Sequence, residues 1–210
     1  MTQASRLDHS TQSTISSDVS NVSATAVVND SIDLSHDNTM ALACVADSVV
    51  TLENEAQLDD FMAAYIEDTA DKLPLFVLSG GSNVLLPAAL KAIVLQPKMR
   101  GIHLTNQTDN YVDIEVMAGE NWHDLVVHTV NQGWYGLENL ALIPGLTGAA
   151  PIQNIGAYGV QLEDRLQYVR AYHLPTQTWH HLSAADCQFG YRDSIFKRTP
   201  NTWLISRVGF

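Results

Sequence analysis

The chain is short of basic residues. Its 210 residues include 11 Lys and Arg against 23 Asp and Glu, which gives a net charge of −12. Proteins that bind nucleic acid neutralise phosphates with clustered Lys and Arg, so this balance argues against a nucleic-acid partner. A small phosphorylated ligand stays compatible with it, because a few backbone amides and one Arg can bind such a group.

Cysteine and long apolar runs are also scarce. Cys44 and Cys187 are the only cysteines and form no CxxC spacing, so no disulfide framework is expected. No 18 uncharged apolar residues run together, and the first residues lack the apolar segment of a secretory signal. His173, His180 and His181 match no zinc-site spacing. We therefore expect a cytoplasmic protein with no membrane partner and no metal.

Hydrophobic residues make up 46% of the chain, which is enough for a sizeable core. Residues 1–35 are rich in Ser, Thr, Asp and Asn without any periodicity, and this predicts a disordered extension. Beyond them the patterns alternate between helix and strand. They predict strands at 44–50, 74–78, 84–86, 93–95, 111–117 and 203–208, helices at 53–71 and 121–131 with Asn121 as N-cap, a hairpin of 166–174 with 178–182, and a short helix from Ser183.

These elements indicate an α+β fold. A small βαβ-like lobe would occupy residues 36–100, and a larger mixed lobe residues 101–210. The sequence stops at Phe210, directly after an apolar strand. We take this as an expectation that the second lobe is truncated.

Glycines and other small residues are concentrated between residues 138 and 159. Gly145, Gly148, Gly156 and Gly159 lie there among almost no charges, next to the sequence Pro-Ile-Gln-Asn at 151–154. Small side chains let a backbone approach a flat, bulky ligand and present free N–H groups to it. This segment therefore indicates a binding site.

Two further motifs carry polar groups. Residues 79–83 (Ser-Gly-Gly-Ser-Asn) follow a predicted strand, where successive N–H groups can form a nest for phosphate, although a plain tight turn explains them as well. In residues 191–197 (Tyr-Arg-Asp-Ser-Ile-Phe-Lys), Arg192 could bind a carboxylate through two hydrogen bonds. An ion pair between Arg192 and Asp193 is the favoured alternative.

Taken together, residues 79–86, 136–159 and 187–197 resemble the UDP-N-acetylenolpyruvoylglucosamine reductase family, also called UDP-N-acetylmuramate dehydrogenase. The resemblance covers residues 36–210, with Asn38-Thr39-Met40 similar to the start of the family's conserved region. It implies a two-lobed FAD-binding domain of the vanillyl-alcohol-oxidase (PCMH) type. In that family NADPH reduces FAD, which passes hydride to UDP-N-acetylglucosamine enolpyruvate. The product, UDP-N-acetylmuramate, is a peptidoglycan precursor needed for cell-wall growth, cell shape and division.

The resemblance also implies roles for individual residues. Arg192 matches the active-site arginine that holds the substrate carboxylate and stabilises its developing charge. The expected cofactor-binding residues are Ser79, Gly80, Gly81, Ser82, Asn83, Pro144, Gly145, Thr147, Gly148, Ala149, Ala150, Ile155, Gly156 and Gly159. The expected substrate-binding residues are Gln153, Asn154, Tyr158, Tyr191 and Arg192.

The chain departs from the family in two respects. Position 79 is Ser where the family usually has Gly, and a positive φ there would cost about 1 kcal/mol or more. The family's substrate domain, with its catalytic serine and glutamate, is expected beyond Phe210, so we expect no turnover by this chain alone. The sequence does not distinguish NADPH from NADH.

Two other functions stay open at this point. The chain could be a non-catalytic flavin- or nucleotide-binding fragment. A related flavin oxidase is disfavoured, because residues 191–197 match the reductases and no His or Cys is placed for covalent flavin attachment.

Overall fold

The computed structural model describes residues 27–67 and 72–210. Eleven strands and three α-helices occur in these residues, joined by short 3-10 helices. The strands are β1 (Val27–Asp33), β2 (Val45–Leu52), β3 (Leu75–Val77), β4 (Ala89–Pro97), β5 (Ile102–Gln107), β6 (Val112–Met117), β7 (Gly156–Ala157), β8 (Val160–Gln161), β9 (Tyr168–His173), β10 (Thr178–Ser183) and β11 (Trp203–Gly209). The α-helices are α1 (Glu55–Glu67), α2 (Trp122–Asn131) and α3 (Ile195–Arg198), and the 3-10 helices are Glu138–Leu140, Thr147–Gln153 and Leu162–Asp164.

The strands form two main sheets. The first has the order β1-β2-β4-β3, with β1 antiparallel to β2 and the other two pairings parallel. The second has the order β10-β9-β11-β6-β5 and is antiparallel throughout. The chain thus completes the first sheet by residue 97 and starts the second at residue 102. The α+β prediction is confirmed, whereas the division into lobes at residue 100 stays a prediction.

The two sheets share a hydrophobic core. Helix α1 packs Leu58, Phe61 and Met62 into a cluster that contains Leu95 of the first sheet and Leu204 of the second. Helix α2 is amphipathic and buries Trp122, Leu125 and Val126 against the second sheet. Helix α1 therefore joins the two sheets, whereas α2 covers the second sheet alone.

An ionic cluster joins α1 to the second sheet. The carboxylate of Glu55, in the first turn of α1, accepts hydrogen bonds from Arg170 Nε (2.9 Å), Arg207 Nη2 (2.8 Å) and Ser206 Oγ (2.7 Å). Arg207 also donates to Glu115 on β6 at 2.8 Å. Burial raises the pKa of Glu55, but these hydrogen bonds outweigh it, and the pKa lies below its ordinary value of 4.5.

Several predicted elements are confirmed. The hairpin forms from β9 and β10, and β11 follows where an apolar strand is expected. Asn121 caps α2, because its side chain accepts a hydrogen bond from the backbone N–H of Asp124 at 3.1 Å.

Three expectations are wrong. Residues 27–33 are not disordered but form β1, since pairing with β2 satisfies their backbone and Leu34 is buried behind them; residues 1–26 lie outside the described part. Residues 84–86 form no strand, because this run has no partner strand, and Leu86 is buried as part of a loop. No helix begins at Ser183, because the reciprocal hydrogen bonds between Ser183 and Asp186 close a turn.

No helix in the described ranges is both long and apolar enough to cross a membrane.

Candidate functional site

A cleft of about 140 Å³ lies where two of the sequence motifs meet. One wall is the loop 79–83, which follows β3, and the other is the segment 143–155. The lining consists of residues 77–84 together with Trp122, Ile143, Pro144, Leu146, Ala149, Ala150, Ile152, Gln153 and Ile155. None of these side chains is charged. The fold therefore brings together motifs that are some sixty residues apart in the sequence.

The loop takes its shape from Gly81. This residue has φ +63°, and a Cβ there would lie 1.9 Å from the carbonyl oxygen of Asp37. Thr39 donates to the Gly81 carbonyl through its backbone N–H (3.2 Å) and its hydroxyl (3.3 Å). Only glycine fits both the backbone angle and this close approach, so the segment around Thr39 holds the loop in place.

The backbone donors of the loop are free. None of the N–H groups of residues 79–83 donates a hydrogen bond to a residue that the structure describes. The Ser79 hydroxyl is buried and also lacks a partner among those residues. Consecutive unpaired N–H groups on a concave surface are a typical binding site for anionic groups such as phosphate. The loop can thus hold an anion without any cationic side chain.

The two walls touch each other directly. Ser82 Oγ donates to the Pro144 carbonyl at 3.1 Å, and Asn83 Nδ2 donates to Gln153 Oε1 at 3.1 Å. Gly145 has φ +124°, and a Cβ on it would lie 2.9 Å from Ser82 Oγ. These contacts set the spacing of the cleft, and a side chain at position 145 would displace the Ser82 hydroxyl.

The segment 143–155 is anchored on the second sheet. Thr147, at the start of the 3-10 helix Thr147–Gln153, donates to the Glu120 carbonyl through its N–H (2.8 Å) and its hydroxyl (3.1 Å). A Cβ on Gly148 would lie 2.6 Å from the Ala118 side chain. Thr147 and Gly148 therefore act in packing here, beneath the surface of the cleft.

Most of the predicted cofactor-binding residues line the cleft. Those that do are Ser79, Gly80, Gly81, Ser82, Asn83, Pro144, Ala149, Ala150 and Ile155. Gly145, Thr147, Gly148, Gly156 and Gly159 lie outside the lining. The roles of all these residues toward a cofactor stay predictions.

Asn154 occupies a position unlike that of its neighbour Gln153. It is fully buried, has φ +44° and is absent from the lining. Its side-chain amide donates to Glu163 (2.9 Å), Gln161 (3.3 Å) and the Gly190 carbonyl (3.1 Å), and its oxygen accepts from the Glu163 N–H (3.1 Å). With its side-chain groups engaged inside the protein, Asn154 holds Gly190, two residues before Arg192. Its contact with substrate stays a prediction.

Arg192 is exposed and points back to the glycine-rich segment. Its guanidinium donates from Nη2 to the Gly156 carbonyl at 2.6 Å, and it forms no ion pair with any described carboxylate. Asp193 pairs instead with Arg198, and this pair lowers the pKa of the Asp193 carboxyl. The favoured interpretation of an Arg192–Asp193 ion pair is therefore wrong, and the remaining Arg192 donors are available to a ligand.

Tyr158 and Tyr191 project from the protein beside these residues in the sequence. They are 87% and 86% exposed and lie outside the cleft lining. Tyr158 has φ +50° and, with Gly159, forms the two-residue turn between β7 and β8. Two-residue hairpin turns of this kind require positive φ at both central residues, so the turn accounts for the backbone of Tyr158.

Trp122 is a lining residue that the sequence analysis did not place in the site. It is 1% exposed, donates from Nε1 to the Leu140 carbonyl at 2.7 Å, and accounts for part of the cleft floor. Its backbone N–H also donates to the Gly145 carbonyl at 3.1 Å. The sequence feature that could have placed Trp122 in the site is its position directly after the N-cap of α2, shortly before the glycine-rich segment.

The fold and the cleft agree with known proteins. The sequence profile of the FAD binding domain family matches residues 46–183. The chain belongs to the FAD binding domain family. This match includes the loop 79–83 and the whole of segment 143–155, so both walls of the cleft are part of the FAD-binding domain.

Curated relatives give a more specific similarity. This FAD-binding chain is 81% identical over 182 residues to the UDP-N-acetylenolpyruvoylglucosamine reductase of Psychrobacter arcticus, covering 87% of the chain and 49% of the relative. It is 46% identical over 175 residues to the reductase of Bordetella pertussis, with 82% and 48% covered. The chain thus spans about half the length of the curated relatives it matches.

A solved structure shows the same fold. The crystal structure of UDP-N-acetylenolpyruvylglucosamine reductase from Thermus caldophilus superposes with a TM-score of 0.66 at 24% identity, covering 87% of this chain and 61% of that one. The predicted FAD-binding α+β fold and the resemblance to this reductase family are confirmed.

Proposed function

We propose that this chain is the flavin-binding part of an FAD-dependent reductase that converts UDP-N-acetylglucosamine enolpyruvate to UDP-N-acetylmuramate for peptidoglycan synthesis. The observation that carries the proposal is the uncharged cleft between the unpaired amides of loop 79–83 and the segment 143–155, within a domain of the FAD-binding family. The names of the curated relatives supply the substrate and the reaction.

The residues of the cleft fit FAD. Its pyrophosphate is an anion that the five free N–H groups of loop 79–83 can bind. The small residues Ala149 and Ala150 and the apolar Ile155 give a smooth opposite wall for the flavin and its ribityl chain. When bound, FAD would supply the hydride chemistry, taking hydride from NADPH and passing it to the enolpyruvyl double bond. The protein supplies binding and orientation.

Arg192 is the proposed catalytic residue. Its exposed guanidinium, fixed by the Gly156 carbonyl, keeps further N–H donors for the carboxylate of the substrate. Negative charge that develops on this carboxylate during hydride addition would be stabilised by the fixed cation. Tyr158, Tyr191 and Gln153 are proposed substrate contacts. Asn154 supports the site from within through its hydrogen bond to Gly190.

The remaining features follow from the same function. NADPH is the proposed hydride donor, the substrate is a small nucleotide sugar, and the reaction would take place in the cytoplasm. We place the flavin between a first lobe ending near residue 100 and a second lobe that follows it, because one wall of the cleft comes from each.

A visible absorption spectrum tests this proposal. The purified 210-residue chain is incubated with FAD, freed of excess cofactor and examined for a retained flavin band whose shape differs from that of free FAD. Gly81→Ala serves as the site variant, and Gly133→Ala, where a Cβ meets nothing within 4 Å, as the matched glycine control. A retained band in the wild type and control, but not in Gly81→Ala, is expected. A folded wild-type chain without any flavin would overturn the proposal.

A further inference from the structure

Arg192 lies in a tight turn whose backbone geometry is unfavourable for an arginine. Gly190 and Asp193 close the turn through two backbone hydrogen bonds, from the Gly190 N–H to the Asp193 carbonyl (3.0 Å) and from the Asp193 N–H to the Gly190 carbonyl (3.1 Å). Arg192 occupies the third position of the turn with φ +54°, where Gly or Asn is usual. An arginine in this left-handed region is strained, so other contacts must hold the turn in shape.

The ammonium group of Lys197 makes such a contact. Its Nζ donates a hydrogen bond of 2.7 Å to the carbonyl oxygen of Arg192. Lys197 lies in α3, which follows the turn directly and brings the side chain back to it. No carboxylate in the described part of the chain forms an ion pair with Lys197. A hydrogen bond from a charged donor is about twice as strong as a neutral one, so this contact is suited to hold a strained backbone.

Other side chains hold the two ends of the turn. Asn154 donates to the carbonyl of its first residue at 3.1 Å, and Arg198 pairs with the carboxylate of its last residue. Lys197 acts instead at the carbonyl of Arg192 itself, next to the Cα from which the guanidinium side chain projects. A rotation of this peptide would redirect the side chain, so the contact with Lys197 bears directly on where the guanidinium lies.

We propose that Lys197 is a positioning residue for Arg192, which binds the Arg192 carbonyl and keeps the turn in the conformation that presents the guanidinium to the carboxylate of the substrate. This inference rests on the proposed function and deepens it. Lys197 acts through the backbone of Arg192 and needs no contact with substrate for this role. Its removal should therefore lower turnover only while Arg192 is present.

Hydrogen exchange in the 210-residue chain tests the positioning itself. Lys197→Met removes the ammonium group and keeps an unbranched side chain of similar length. The matched control is Lys91→Met, at an exposed lysine of β4. In Lys197→Met we expect the N–H groups of Gly190 and Asp193 to exchange about fivefold faster, the effect of losing one hydrogen bond at the turn. Lys91→Met should exchange like the wild type.

Turnover shows whether Lys197 acts through Arg192. In a protein that joins this region to the rest of the length found in its relatives, Lys197→Met should lower kcat about tenfold, because the guanidinium is displaced from its productive position. FAD binding should be unchanged, and Lys91→Met should turn over like the wild type. In an Arg192→Ala background, Lys197→Met should bring no further loss, since the group that it positions is gone.

The possible failures are distinguishable. Unchanged exchange at the turn or near-normal turnover in Lys197→Met overturns the inference and leaves the proposed function intact. An equal loss of turnover in both backgrounds also overturns it, because Lys197 would then act on its own, as does weakened FAD binding or faster exchange throughout the chain, which would indicate a general structural role. A wild-type protein that does not reduce UDP-N-acetylglucosamine enolpyruvate overturns the proposed function and the inference with it.

Discussion

Several residues of the segments 136–159 and 187–197 have unusual backbone angles. Leu142, Asn154, Tyr158 and Arg192 all have φ between +44° and +62°, a region that non-glycine residues rarely adopt. Each such residue costs about 1 kcal/mol or more, and least for Asn. Asn154 is compensated by its buried hydrogen bonds, whereas Leu142 and Tyr158 are exposed and gain little from packing.

Gly81 offers the sharpest test at this scale. Gly81→Ala puts a Cβ 1.9 Å from the Asp37 carbonyl in a backbone of φ +63°, so both strain and overlap follow. We expect a loss of about 2–4 kcal/mol in the free energy of unfolding. Gly133→Ala, with φ +75° but open space around it, should cost about 1 kcal/mol. Urea unfolding of both variants measures the difference, and equal losses would show that the contact with Asp37 is unimportant.

Arg192 should matter for turnover and not for folding. Its side chain is exposed and has a single hydrogen bond to a described residue, so Arg192→Ala should change the free energy of unfolding by about 0.5 kcal/mol or less. FAD binding should be unchanged. In a protein that joins this region to the rest of the length found in its relatives, turnover should fall by about 10²–10³-fold. Steady-state kinetics with saturating FAD measure it, and near-normal turnover would contradict the assigned role.

At the scale of elements, the helices and strands that could be predicted from the sequence are those whose hydrophobic pattern matches their burial in the fold. Helix α2 and the β9–β10 hairpin have clear periodicity and defined end signals, and both form as expected. Strand β5 was not predicted, because its residues are mostly exposed and their burial does not alternate along the strand. Its pairing with β6 makes it a strand. The run 84–86 shows the reverse, an apolar segment without a partner strand. Pairing between distant segments decides such cases.

The site was predictable in its parts but not in its assembly. Loop 79–83 and segment 143–155 can be identified in the sequence by their glycine content and position, and both line the cleft. The direct contacts between Ser82 and Pro144 and the floor provided by Trp122 depend on tertiary packing, which no local pattern encodes. The partner of Asp193 was missed for the same reason, since the short α3 brings Arg198 back to it.

The joint between α1 and the second sheet gives a prediction on pH. Glu55 has a lowered pKa in the folded protein, so its contribution to stability is complete above its ordinary pKa of 4.5 and is lost as the pH falls through the lowered value. Glu55→Gln should remove about 2 kcal/mol at pH 7 and flatten the fall of stability below about pH 5. Exposed Glu53→Gln is the control and should change stability by about 0.5 kcal/mol or less. Urea unfolding at pH values from about 3 to about 7 gives the free energy of unfolding of both variants. If Glu55→Gln lost stability at low pH as steeply as the wild type, this role of Glu55 would be excluded.

At the scale of the whole molecule, the cleft is a further contact between the parts of the chain that carry the two sheets. Loop 79–83 extends from the first sheet, whereas segment 143–155 is anchored by Thr147 and Gly148 next to β6 of the second. The shared core already joins the sheets, and the Glu55 cluster joins α1 to the second sheet. A ligand that contacts both walls would therefore stabilise the molecule as one unit, and not one sheet alone.

FAD should therefore raise the stability of the entire chain. At a free concentration of 100 times its dissociation constant, FAD adds about 2.7 kcal/mol to the free energy of unfolding, which corresponds to about 5–10 °C in unfolding temperature for a chain of this size. Hydrogen exchange should slow at the free N–H groups of loop 79–83, because the cofactor becomes their acceptor, and also in the 3-10 helix Thr147–Gln153 on the other wall. Gly81→Ala should show neither effect, and Gly133→Ala should show both. Slower exchange in one wall only would mean that the ligand does not bridge the sheets, and the position proposed for the flavin would then be wrong.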